Sequence, residues 1–277
     1  LWLFAWCAFV PLFIALEKKS LLRSFFISYL CGIIFWSLAV YWLIHVTLIG
    51  QIVLILYLAF YFGIFGCSIY LFRRRTESAL LFLAPCAWVL LEYLRSYLFT
   101  GFPWALLGLS QYKNLPVIQI ADITGAWGVS FLIMMVNAAV YSAVSCQLSV
   151  VSRIRKNLLP ILIIFLVLAY GYYRIYPQTR KPVNPQTIKI SVIQGNIPQA
   201  LKWDWRARNF ILNNYKELTS ESAKGNPALI IWPEASVPGV FGEDDAVFGQ
   251  VFSLAGTLNI DLLIGAVSWR SGNYFNS

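Results

Sequence analysis

Leu158-Leu159-Pro160-Ile161-Leu162-Ile163-Ile164-Phe165-Leu166-Val167-Leu168-Ala169-Tyr170-Gly171-Tyr172-Tyr173-Arg174-Ile175-Tyr176-Pro177 is the stretch on which the fold turns. Up to Tyr176 it carries one charge, Arg174. Its length is close to the roughly 20 apolar residues that cross a bilayer core as a helix. Pro160 fits the first turn of such a helix, where no N–H is needed. From Pro177 the rhythm changes. Pro177, Pro182 and Pro185 mark a linker, and Lys189-Ile190-Ser191-Val192-Ile193-Gln194 reads as a short strand stopped by Gly195-Asn196. The chain therefore reads as two domains of different kinds. Residues 1–176 form a multi-pass helical membrane bundle, and residues 177–277 form part of an α/β domain outside the bilayer.

Upstream lie five more apolar runs, at about 1–16, 24–44, 49–72, 79–98 and 120–148, which makes six candidate spans. The first is short, and the run after Leu115 is too long for a straight crossing. Hydrophobic residues make up 59% of the 277 and charged residues 12%. A soluble domain is nearer roughly half apolar and about a quarter charged, so a disordered or wholly soluble chain is excluded. Aromatics at 17%, with 11 Trp, suit membrane interfaces.

The net charge is +9, and its location decides its meaning. Residues 1–176 carry 12 Lys/Arg against 4 Asp/Glu, whereas residues 177–277 carry 9 against 8. Three clusters follow spans one, three and five: Lys18, Lys19 and Arg23; Arg73, Arg74 and Arg75; Arg153, Arg155 and Lys156. The loops around 45–50 and 99–116 carry only His45 and Lys113. This is the positive-inside pattern, not a groove-binding patch, so no nucleic-acid partner is expected. The basic loops face the cytoplasm, and residues 177–277 emerge on the other side, the periplasm of a two-membrane bacterium.

Ionisable residues inside spans default to a functional reading. Glu92 and Arg95 are three apart on one helical face and can pair, which favours a structural pair anchoring the helix. Asp122 reads as a cap or an interhelical hydrogen-bonding group, and His45 as an interface residue. Thr100-Gly101-Phe102-Pro103-Trp104-Ala105-Leu106-Leu107-Gly108-Leu109-Ser110-Gln111 is too apolar for a plain soluble loop. It reads either as interface packing or as a re-entrant contact surface for lipid chains. Cys7, Cys31, Cys67, Cys86 and Cys146 all lie in apolar runs without metal-ligand spacing. They read as small buried thiols in helices, with no disulfide, metal or cofactor expected. The chain begins at Leu1 inside an apolar run and stops at Ser277 after a turn, so both ends read as cut.

In the outer part, residues 204–223 read as a helix capped by Asp204, with Ala207, Ile211, Tyr215 and Leu218 on one face. Ala228-Leu229-Ile230-Ile231-Trp232 is a buried-type strand running straight into Pro233-Glu234. A second helix spans about 244–258, with Val247, Val251, Leu254 and Leu258 inward. Asp261 to Val267 is a third strand. This alternation predicts a parallel sheet covered by helices, whose chemistry gathers at the carboxyl ends of the strands. Glu234 sits there, on a backbone that Pro233 stiffens, and can serve as a general base.

Ile230-Ile231-Trp232-Pro233-Glu234-Ala235 resembles the strand-end glutamate motif of the nitrilase (carbon–nitrogen hydrolase) superfamily. Val192-Ile193-Gln194-Gly195-Asn196-Ile197-Pro198-Gln199, with Lys202-Trp203, resembles its membrane-bound branch, the apolipoprotein N-acyltransferases. Gly101-Phe102-Pro103-Trp104, Gln111 and Gly125-Ala126-Trp127-Gly128 match that branch in the membrane half. The resemblance implies a nitrilase-like αββα extracytoplasmic domain. It also implies transfer of a fatty acyl chain from a phospholipid to the N-terminal amino group of a diacylglyceryl-cysteine apolipoprotein, through a cysteine thioester and without a cofactor. It makes Glu234 the base and puts Trp203 near the active site, with Phe102 and Trp104 as substrate contacts. The family's oxyanion-stabilising lysine and nucleophilic cysteine match nothing in residues 1–277. The resemblance therefore places them beyond Ser277, together with a C-terminal span, and places one more span before Leu1. These residues alone are then expected to be inactive. The alternatives are a membrane-tethered amidase of the same superfamily and a catalytically dead membrane fragment.

Overall fold

The computed structural model describes residues 2–73, 77–145, 150–180, 187–202, 204–270 and 272–276, with the backbone alone at 77–79, 150–157, 177–180, 199–200 and 270. The chain divides into two compact units, residues 1–182 and 183–277.

The first unit is helical. Its helices are α1 (Val10–Ala15), α2 (Leu21–Ala39), α3 (Leu48–Arg73), α4 (Glu77–Tyr97), α5 (Leu115–Ile118), α6 (Ala121–Ser145) and α7 (Val150–Arg180). Single 3-10 segments lie at Trp2–Trp6, Tyr41–His45 and Leu107–Gln111. Among the described residues five helices are long and apolar enough to cross a membrane: α2, α3, Leu80–Tyr97 of α4, α6, and Leu158–Tyr176 of α7. The protein is thus a multi-pass membrane protein.

Five of the six expected spans are among these helices, and the first apolar run gives a shorter apolar helical stretch, Trp2–Ala15, with a break inside it. It forms a 3-10 segment and then α1, whose first turn contains Pro11. The break takes the Ala5 carbonyl and the Phe9 N–H out of any helical ladder. Asn137, fully buried on α6, serves both: its Oδ1 accepts from the Phe9 N–H at 2.8 Å, and its Nδ2 donates to the Ala5 carbonyl at 2.8 Å. The second run also ends earlier than its hydropathy indicates. Val40 leaves helical geometry, and the buried Gln51 Nε2 donates to the Val40 carbonyl at 3.2 Å. Within α6, Gly125 turns the backbone at φ +64°, a region that favours glycine.

Trp88 of α4 is the hub of the unit's core. Phe9, Phe62 and Phe65 meet it edge-on with ring centroids at 4.6, 5.1 and 5.0 Å, the preferred aromatic geometry. Small residues of α2, namely Ser24, Ser28 and Gly32, let its backbone approach α3. Asp122 makes the expected interhelical contact, to the Tyr170 hydroxyl at 2.7 Å and the Arg174 guanidinium at 3.0 Å. His45 is exposed. Cys7 and Cys86 are exposed rather than buried. A thiol is apolar enough to sit on a lipid-facing surface, so burial was not needed to explain it. Cys146 and the side chains of Arg153, Arg155 and Lys156 lie outside the described residues.

The second unit contains β1 (Ile190–Val192), α8 (Gln199–Lys202), α9 (Arg208–Ala223), β2 (Leu229–Ile231), β3 (Val240–Phe241), α10 (Asp245–Leu258), β4 (Asp261–Leu263), β5 (Val267–Arg270) and β6 (Asn273–Asn276). One sheet is parallel, in the order β1-β2-β4, with Ile190 opposite Leu229 and Leu229 opposite Asp261. The expected α/β alternation is present. The predicted helix from 204 starts as a 3-10 turn capped by Asp204, before α9. The predicted third strand stops at Leu263. Its continuation, β5, belongs to a second sheet ordered β3-β5-β6, parallel between β3 and β5 and antiparallel between β5 and β6. Ile211, Leu212 and Tyr215 of α9 pack with Ile230, Trp232 and with Val247, Phe248 and Val251 of α10.

An Asn137→Ala exchange orphans the Phe9 N–H and the Ala5 carbonyl together. It is expected to cost about 2 kcal/mol, read as a lower thermal midpoint in detergent. An unchanged midpoint would remove Asn137 from this role.

Candidate active site

The carboxylate singled out by sequence sits on a turn built almost wholly by backbone bonds. Strand β2 delivers Trp232, whose N–H donates to the Leu263 carbonyl at 2.8 Å. Four residues later the Ser236 N–H donates to the Gly265 carbonyl at 3.0 Å, and its hydroxyl donates to the same oxygen at 3.1 Å. Pro233, Glu234 and Ala235 bridge these two anchors, and Ala235 takes a left-handed conformation at φ +47°. A non-glycine residue there stores strain. The turn also presses on Gly265: a Cβ at that position would lie 2.7 Å from the Glu234 Cα. Glycine at 265 is therefore a condition of the turn.

Glu234 is exposed and opens onto a cavity of about 140 Å³ lined also by Ile197, Lys202, Ile211 and Tyr215. A second cavity of about 380 Å³, lined by Trp205, Arg208 and Tyr274, shares Lys202, Ala235 and Pro238 with it. The Lys202 ammonium donates to the Glu234 carbonyl at 3.5 Å. The Asn276 amide donates to Glu234 Oε1. Tyr215 stacks on Trp232 with centroids 5.0 Å apart, and burial pushes its phenol pKa up, so it stays neutral at ordinary pH. The arrangement presents a fixed proton acceptor, a nearby cation and space for a small reacting group. Lys202, Gly265 and Asn276 gave no signal as partners of Glu234 in sequence, because all three are more than 30 residues away.

The other predicted contacts lie in the first unit. Phe102 and Trp104 stack with centroids 5.9 Å apart; Trp42 stacks on Trp104 at 5.4 Å, and Trp36 meets Phe102 edge-on at 5.8 Å. Trp104 is 53% exposed. Glu92 and Arg95 are 2% and 4% exposed, and the described ion pairs do not include them. Each grips the loop instead. Glu92 Oε1 accepts from the Leu107 N–H at 2.7 Å, and Arg95 donates to the Trp104 carbonyl at 2.7 Å while lying over the Trp36 ring. The pair expected to anchor its own helix thus anchors the 101–111 segment. A largely apolar cavity of about 530 Å³ lies beside that segment, against Phe9, Phe35 and Trp88. Trp203 lies outside the described residues.

The family model described as the apolipoprotein N-acyltransferase N-terminal domain matches residues 1–139. The apolipoprotein N-acyltransferase of Geobacter metallireducens is 32% identical over 99% of this chain and 55% of its own length. That of Coxiella burnetii is 32% identical over 74% of this chain and 40% of its own. That of Photobacterium profundum is 27% identical over 100% of this chain and 54% of its own. The chain spans about half the length of the curated relatives it matches.

Gly265→Ala forces the Glu234 turn away and is expected to destabilise the second unit by about 1–3 kcal/mol. Gly256→Ala on α10, where nothing lies within 4 Å of the added methyl, is the control and should be neutral or stabilising. Equal thermal midpoints for both variants would mean the turn is not packed on Gly265.

Proposed function

We infer the function from one premise: the chain belongs to the apolipoprotein N-acyltransferase family. The proposed reaction moves a fatty acyl chain from a phospholipid to the N-terminal amino group of a diacylglyceryl-cysteine apolipoprotein. Glu234 is the general base. It takes the proton of an enzyme thiol, and the thiolate attacks the ester carbonyl of the donor. The lysophospholipid leaves carrying the proton, and a thioester remains. The acceptor amine then attacks the thioester, giving the amide and restoring the thiol. Splitting the transfer in this way replaces one difficult step with two easier ones.

The observation that carries this reading is the Glu234 turn, a carboxylate held by backbone bonds at the carboxyl end of the central strand and open to a cavity. A base so fixed needs little reorganisation when the proton moves. Residues 177–277 contain no cysteine. The reading therefore takes the nucleophile and the oxyanion-stabilising lysine from sequence beyond residue 277, and residues 1–277 alone are expected to form no acyl-enzyme.

In this reading residues 1–176 are the bundle in the bacterial inner membrane, and residues 177–277 are the first part of a nitrilase-like αββα domain in the periplasm. The basic clusters support the orientation, and the two three-stranded sheets with their helices support the domain. Phe102, Trp104 and Trp203 are the proposed contacts to the lipid-linked substrates. The apolar 101–111 segment, with its backbone gripped by buried charges and Trp104 half-exposed, supports that role for the first two.

The product of the complete reading frame, given phospholipid with a labelled acyl chain, should acquire a hydroxylamine-sensitive label. Glu234→Gln should lower its rate of formation about 100-fold or more. A full label in the Gln variant would reject Glu234 as the base. Turnover of a soluble amide without lipid would mark an amidase instead, and a folded product with neither activity would mark a dead membrane protein.

A further inference from the structure

Glu234 and Asn276 lie 42 residues apart yet hang from one segment, Leu263–Val267. On one side the Leu263 and Gly265 carbonyls accept the N–H groups of Trp232 and Ser236, which bracket Glu234. On the other side Val267 is the register partner of Asn276 in the antiparallel β5–β6 ladder. Both side chains are thus referred to the same stretch of backbone, and the Asn276 amide donates to Glu234 Oε1.

Glutamate has three rotatable side-chain bonds, and an exposed one samples many rotamers. A donor carried on a paired strand removes part of that freedom. Engaging Oε1 leaves Oε2 for the incoming proton. The other titratable groups lining this cavity are Lys202 of α8 and Tyr215 of α9. The adjoining cavity adds Asp204, Arg208, Asp244 and Tyr274. None of these offers a carboxamide, the neutral donor that fixes a carboxylate without adding charge to the site.

We propose that Asn276 is a positioning residue for the Glu234 base: its carboxamide sets the carboxylate rotamer and leaves Oε2 to take the thiol proton. This rests on the reading of Glu234 as the base.

The test measures thioester formation against donor concentration in the product of the complete reading frame, reconstituted with labelled phosphatidylethanolamine vesicles. Asn276→Ala frees the carboxylate rotamer and should lower the maximal rate about tenfold, with the half-saturating donor concentration unchanged. Asn276→Asp, nearly isosteric, replaces the donor by an acceptor and should lose at least as much, whereas Asn276→Gln, which keeps the carboxamide, should recover part of the rate. A half-saturating concentration that rises while the maximal rate holds, or a maximal rate left unmoved in both the Ala and Asp variants, overturns the proposal. The Asp variant decides the matter if the Ala variant does not fold. Glu234→Gln separates the two readings. If Glu234→Gln abolishes the label while both Asn276 variants keep the wild-type maximal rate, only the role of Asn276 fails. If Gln at 234 leaves the label intact, the base assignment fails and this proposal falls with it.

Discussion

A peptide group freed by a break in a helix finds no water in hydrocarbon, so it has to find its partner inside the protein. The first unit contains several such breaks, and buried carboxamides close them. Asn137 bonds the chain on both sides of the break between the first 3-10 segment and α1. Gln51 caps the early end of α2. Gln111 accepts from the Trp6 indole at 3.0 Å and donates to the Trp2 carbonyl at 2.9 Å. A carboxamide suits these positions because it offers donors and an acceptor in one neutral group. A carboxylate would supply only acceptors and add a buried charge.

Where charge is buried, it works on backbone too. Glu92 and Arg95 sit on one face of α4, and each bonds a main-chain group of the segment between α4 and α5. Burying either alone would be costly, but here each has a backbone partner and Arg95 also lies over Trp36. Ser130 adds a third hold, accepting the Gly108 N–H at 2.8 Å. The result is an irregular segment held at three backbone points, with the aromatic row Trp36, Phe102, Trp104 and Trp42 running along it. A surface held in advance has little left to order when another group packs on it.

Much of this was legible in sequence, for identifiable reasons. Hydropathy finds spans because the bilayer imposes a length, and strand–helix alternation finds a parallel sheet because crossovers need helices. Hydropathy is blind to where a helix breaks inside an apolar run, so the break within 1–16 was missed and the run at 24–44 was read too long. Asn137 and Gln51, polar residues within apolar runs, were the available sign of those breaks. The run Asp261 to Val267 hid a change of sheet for the same reason, since every residue from Leu262 to Val267 except Gly265 is apolar. Glu234 was legible because a proline and a carboxylate directly follow a buried strand. Its contacts to Lys202 and Asn276 were not, because pairing across sheets leaves no local pattern.

Gly265 ties these threads together. It lies between β4, the last strand of the parallel sheet, and β5, which begins the pairing of the second sheet. At that point the chain must pass close behind the Glu234 turn, and its carbonyl accepts the Ser236 N–H. The change of sheet and the placement of the carboxylate are therefore one geometric event. Holding Glu234 by the backbone at Trp232 and Ser236 frees its side chain from packing duty. That is how the backbone under an exposed carboxylate can keep a defined position at a cavity. A buried glutamate would gain rigidity only by losing hydration, whereas this turn gains rigidity from two ladder bonds and a glycine.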